Sequence, residues 1–251
     1  MYRKSRMLCI ILFWIAVWQL AASAISNDII FAGPADVVRS LFALLPTADF
    51  REAVAMSFGK IILGFLTAFL LGILSGSLAF RFPTLGELFA PLIMLIKSIP
   101  VASFVILALI WIGSENLSVL ISFLVVFPMI YINTIAGLKS TDKKLLEMAQ
   151  VFSLNLPRRI RFIYLPALMP YLISGCRIAL GMSWKSGIAA EVIGVPGRTI
   201  GEKLYLSKIY LATSDVFAWT IVIILISAAF EKAFLWLLEQ ISAFNTRGRS
   251  V

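Results

Sequence analysis

The sequence predicts an all-α integral membrane protein, and three observations carry that prediction. Of its 251 residues 61% are apolar and the mean hydropathy is +0.97, above what soluble globular domains show. The apolar residues gather into runs near the ~20 residues that a helix needs to cross hydrocarbon. Most charged residues fall between those runs, and no soluble domain, repeat or low-complexity tract is visible. The expected layout is a single transmembrane domain, 1–251, with spans at about 7–25, 60–80, 91–112, 117–138, 166–190 and 216–238 and a polar loop at 139–165.

The N-terminal run admits two readings. Arg3, Lys4 and Arg6 precede it and Ala22-Ser23-Ala24 reads as a small-residue cleavage site, as in a signal peptide. Its length of about nineteen residues exceeds a usual signal core and favours a retained first span. Beyond it, Gly33-Pro34 and Pro46 bracket a short amphipathic interfacial helix, Ala35 to Leu45.

The second span carries Gly59, Gly64, Gly72 and Gly76, and small residues let membrane helices pack closely on several sides. The third contains Lys97 and Pro100, and the proline frees a backbone carbonyl that neighbours or water must satisfy. The fourth includes Pro128 and Asn133. Loop 191–215 begins irregularly at Gly194, Pro196, Gly197 and Gly201 and continues as a short helix, Glu202 to Tyr210.

Lysine and arginine set the orientation. Arg3, Lys4, Arg6, the basic loop from Lys139 to Arg161, and Arg247 and Arg249 all fall on one side if six spans cross. That side is the cytoplasm, with both termini there. The net charge of +9 is therefore a topology signal; no patch suits nucleic acid. Cys9 and Cys176 lack ligand spacing, and the absence of histidine excludes His-based catalysis and most transition-metal sites. No metal site is expected.

Beyond the fourth span the pattern changes. Thr141 or Asp142 caps a helix on which Leu145, Leu146, Ala149 and Phe152 form an apolar stripe, with Glu147 and Gln150 off it. Pro157 suits the first position of a second helix, with Arg158, Arg159 and Arg161 toward water.

Glu147-Met148-Ala149, three residues, Ser153, nine residues, then Ile163-Tyr164-Leu165-Pro166 resembles the signature of transmembrane permease subunits of binding-protein-dependent ABC importers. That signature has alanine at 148 and glycine at 153, where the family turns between two short helices. Lys97-Ser98-Ile99-Pro100, Asn133 to Leu138, Gly175 to Gly181 and Glu191 to Gly194 extend the likeness toward the nitrate, sulfonate, taurine and bicarbonate branch.

The resemblance implies a methionine-importer-like, type I fold. It assigns Glu147, Met148, Ala149, Gln150, Phe152, Ser153 and Pro166 to a coupling helix and its exit, docked on a cytoplasmic ATPase. It further implies a second permease chain as a homodimer, two ATPase subunits that hold the ATP and Mg, and an extracytoplasmic solute-binding protein, all working in membrane lipid. The chain lacks a phosphate-binding loop of its own and is expected to be a non-catalytic subunit with no cofactor. The binding protein is expected to dock near Gly194, Gly197 and Gly201.

Ionisable residues inside spans default to functional candidates. Ser174, Arg177, Gly181, Trp184 and Lys185 share one helical face by spacing and form a candidate pathway wall for a small anion. Equally, Arg177 and Lys185 suit packing, or pairing with Glu191. Lys97 is a further pathway candidate, or snorkels to the interface. Beside an anion, the aromatic-rich spans would suit a heterocyclic vitamin or its precursor. A secondary transporter or channel is a weaker alternative, because inverted repeats are not visible.

Overall fold

The computed structural model describes residues 2–25, 27 and 29–247, and among these every regular element is helical. In order they are α1 (Tyr2–Ile25), α2 (Pro34–Leu44), α3 (Ala48–Arg81), α4 (Pro83–Ser98), α5 (Val101–Ile112), α6 (Leu117–Lys139), α7 (Lys143–Val151), α8 (Leu156–Arg159), a π-turn (Ile160–Tyr164), α9 (Leu165–Gly194), α10 (Ile200–Ile209) and α11 (Thr213–Arg247). Four uninterrupted stretches are long and apolar enough to cross a membrane: Ala48–Arg81, Leu117–Lys139, Leu156–Gly194 and Thr213–Ala243. The apolar part of α1, Cys9–Ile25, is shorter.

The expected third span, 91–112, is not one helix. It is α4 and α5, bent by 104° across Ile99-Pro100. Pro100 brings no N–H and favours an extended Ile99, found at φ −78°, ψ 129°. Packing then fixes the new direction: Val105 and Ala108 of α5 are buried with Leu117 and Ile121 of α6 and Ala190 of α9.

The bundle centres on α6, which lies between α3 and α9. Glycines set how closely these helices approach. A Cβ at Gly72 would lie 2.9 Å from Cβ of Ile130, and one at Gly76 2.9 Å from Cβ of Thr134. Gly59, by contrast, faces open space. Without a large hydrophobic force between helices in lipid, such close contact supplies the dispersion energy that holds them together.

Phe65 and Phe69 of α3 also interlock with Phe230 and Phe234 of α11, with ring centroids 5.0–6.0 Å apart between the two helices. Trp184 of α9 is buried with Ile61 of α3 and Trp219 of α11.

A candidate docking helix and two candidate faces

The loop between α6 and α9 forms the two short helices that the sequence suggests. Asp142 caps α7 by accepting a hydrogen bond from the Lys144 amide at 2.9 Å. At the other end Ser153 itself takes the left-handed conformation, φ 51°, where the family signature has glycine. Asn155 is extended at φ −68° and caps α8 by accepting from the Arg158 amide. Leu154 N–H donates to the Ala149 carbonyl and Ser153 N–H to the Gln150 carbonyl, both at 2.9 Å. This pair of bonds is a Schellman closure, and it satisfies carbonyls that the helix end leaves free.

Arg159 locks the same turn. Its Nε donates to the Leu154 carbonyl at 2.8 Å, and its guanidinium also reaches the Ala149 carbonyl at 3.4 Å. Arg159 therefore folds back onto the loop, while Arg158 and Arg161 face outward as expected. Leu165 N–H then bonds the Ile160 carbonyl, five residues back, which widens the chain just before Pro166 enters α9.

The expected apolar stripe of α7 divides. Ala149 is buried and Leu146 half-buried, but Phe152 is 71% exposed and Leu145 also lies at the surface. With Met148 and Val151, which is 81% exposed, they form an apolar surface bordered by the exposed Glu147 and Gln150. A rigidly capped helix that shows water this much apolar surface is shaped to meet another protein.

At the opposite end of α9 the chain is tied down by polar contacts. Glu191 is fully buried. Its Oε2 accepts from Ser57 Oγ at 2.6 Å and from Gly201 N–H at 3.2 Å, while Ser57 Oγ accepts from Ile200 N–H at 2.9 Å. The first amides of α10 are thus held by a hydroxyl and a carboxylate, as suits a helix N-terminus. Lys203–Asp49 at 3.0 Å and Arg198–Glu52 at 3.1 Å join the same segment to the start of α3.

Of the docking candidates in this segment only Gly197 faces open space. A Cβ on Gly194 would strike Leu117, and one on Gly201 would strike Glu191. These two glycines serve close packing, and the left-handed turns fall instead on Val195 and Arg198.

The α9 pathway candidates separate in the same way. Ser174, Arg177 and Lys185 are exposed, and Gly181 has nothing beside it. Trp184 belongs to the core, its ring near Phe58, so it is not on that face. Glu191 pairs with neither Arg177 nor Lys185 among the described residues. Arg177 opens on a cleft with Glu231, Lys232 and Glu239 of α11. The sequence reading missed this group because charges near the end of α11 look like ordinary interfacial residues. Lys97 lies at the end of α4, exposed, beside the break. Among the described residues no cluster of acidic or sulfur side chains suits a metal ion.

Membrane-length helices, two of them joined by a capped loop with an apolar surface, define the class: a multi-span membrane protein. Residues 61–243 match the model of the binding-protein-dependent transport system inner membrane component family, and the chain belongs to it. It is similar to the taurine transport system permease protein of Escherichia coli, with 28% identity over 85% of this chain and 80% of that one. A permease named for aliphatic sulfonate transport in Bacillus subtilis is 28% identical over 90% and 82%. The nitrate import permease protein of Synechococcus elongatus is 26% identical over 75% and 71%. The chain is thus an ABC transporter permease of the inner membrane, from a family of non-catalytic subunits.

Proposed function

We propose that this chain, as a homodimer, forms the translocation pathway of an ATP-driven importer for a small anionic solute delivered by an extracytoplasmic binding protein. Two ATPase subunits, holding the ATP and Mg, dock on α7 from the cytoplasm, and α1 is retained as a first span so that both termini lie there. The observation that carries this reading is the docking helix itself. Met148, Val151 and Phe152 present apolar surface beside Glu147, while Ser153 and Arg159 fix the turn that connects them to α9. A push on α7 therefore enters α9 directly.

The solute class is supported by the relatives' taurine, sulfonate and nitrate substrates and by the cations of α9 and α4, which form no ion pair among the described residues. The test is co-purification with an ATPase subunit from the source cell, followed by uptake into vesicles with and without ATP. Uptake should require both ATP and that partner; uptake without them overturns the reading. Glu147→Arg should leave the protein folded and membrane-inserted but lower coupled uptake at least tenfold.

A further inference from the structure

A cleft between α4 and α6, just before the bend at Ile99-Pro100, is not used by the docking-helix reading. It has a volume of about 380 Å³ and is lined by Ala90, Ile93, Met94, Lys97, Ser98 and Tyr131. Its α6 wall is Tyr131, just past the middle of that helix. Interrupted helices of this kind recur at the binding sites of membrane transporters.

The polar groups of the cleft are unbalanced. Lys97 forms no ion pair among the described residues, and no carboxylate lines the cleft. Tyr131 is 5% exposed, and among the described residues its hydroxyl has no hydrogen-bond partner. Tyr131 lines the cleft from the α6 side. Ser98 already donates to the Met94 carbonyl at 2.8 Å. What remains is an ammonium, which only donates, and a phenol, which donates readily. An unpaired cation inside a span is costly and calls for a counter-charge.

We propose that this cleft is an anion-binding site in which Lys97 and Tyr131 hold the oxyanion of a small solute, a sulfonate or a group of like shape, partway through the membrane. The site deepens the importer reading and rests on it for its role in transport, though not for its chemistry. The apolar Ala90, Ile93 and Met94 leave room for a short carbon chain and give no partner to a second charge. An anionic lipid headgroup carries the same chemistry, so the experiment separates the two sources.

Met94 is 70% exposed on the cleft and accepts a reporter cysteine. The full chain carrying Met94→Cys, Cys9→Ser and Cys176→Ala is placed in nanodiscs of phosphatidylcholine alone. Its reaction with an anionic sulfonate methanethiosulfonate is compared with that of the cationic trimethylammonium reagent, each normalised to its rate with free cysteine. The anionic reagent should react several-fold faster, and millimolar ethanesulfonate should slow it while choline does not.

Lys97→Gln should abolish both the preference and the protection. Tyr131→Phe, which keeps the ring packed, should raise the ethanesulfonate needed for half-protection several-fold. Equal rates for the two reagents, or protection that survives Lys97→Gln, overturns the site. Protection that appears only when phosphatidylglycerol is added, and never with ethanesulfonate, assigns the cleft to lipid and overturns the solute site. Labelling needs neither ATP nor a partner, so failure here leaves the importer reading standing, and failure of ATP-driven uptake leaves this result intact.

Discussion

Ser153 holds φ 51° without the freedom of glycine, and a residue with a Cβ pays about 1–2 kcal/mol for that conformation. The Schellman bonds and the Arg159 contacts outweigh this cost. Ser153→Gly should therefore tighten the turn, by about 0.5–1 kcal/mol once the extra freedom of unfolded glycine is counted. Hydrogen exchange at the Ser153 and Leu154 amides should slow, with uptake unchanged. Arg159→Ala removes a charged donor from two carbonyls and should speed the same amides by about tenfold, since hydrogen bonds to charged groups are worth about 1.5–3 kcal/mol. Unchanged exchange in Arg159→Ala would show that the turn holds itself closed without Arg159. At the other end of α9, Gly201 and Gly197 form a natural pair of controls. Gly201→Ala drives a methyl into Glu191, whereas Gly197→Ala meets nothing. Overpacking of this kind costs about 1–3 kcal/mol, so the thermal midpoint in detergent should fall for Gly201→Ala and stay within a degree or two for Gly197→Ala.

Among the elements, α3 and α6 show how much the sequence made legible. The glycines of the second span suggested tight packing, and Gly64, Gly72 and Gly76 do lie against α6. What spacing alone does not reveal is which glycine faces lipid, because that depends on the rotation of the helix about its axis. Gly72→Leu should block insertion of a folded protein and sharply reduce the monodisperse fraction after detergent extraction, while Gly59→Leu should be tolerated. A tolerated Gly72→Leu would mean that α3 can roll away from α6. The docking loop was readable because its helix caps, its proline and its signature spacing are all local. The break in the third span was only half readable. Pro100 announced a lost hydrogen bond, but the 104° turn comes from α5 packing on α6 and α9, contacts distant in sequence. Trp184 was misplaced for the same reason. Spacing puts it beside Arg177 and Lys185, yet it turns off that stripe toward Ile61 and Trp219.

For the whole molecule, α9 is the element that joins the two ends. A helix of 30 residues is about 45 Å long. It leaves the pinned docking turn at one end and meets the Glu191 clamp on α10 at the other. Between them its open face carries Ser174, Arg177, Gly181 and Lys185. Two cations on a span cannot face hydrocarbon cheaply, so protein or water must cover them. In the proposed homodimer a second copy related by a two-fold axis would do both, its own α9 bringing the same polar stripe so that the two enclose an aqueous path. Single cysteines at 174, 181 and 185, in a chain free of Cys9 and Cys176, should then form a disulfide with the same residue of the other copy at one or more positions. The product would run as a dimer on a non-reducing gel and revert with reductant. Gly181→Cys is the most informative variant, since the added side chain meets nothing within its own chain. If none of the three positions links while the protein elutes as a dimer, the copies meet elsewhere, and the cations of α9 must then be covered by a partner of another kind.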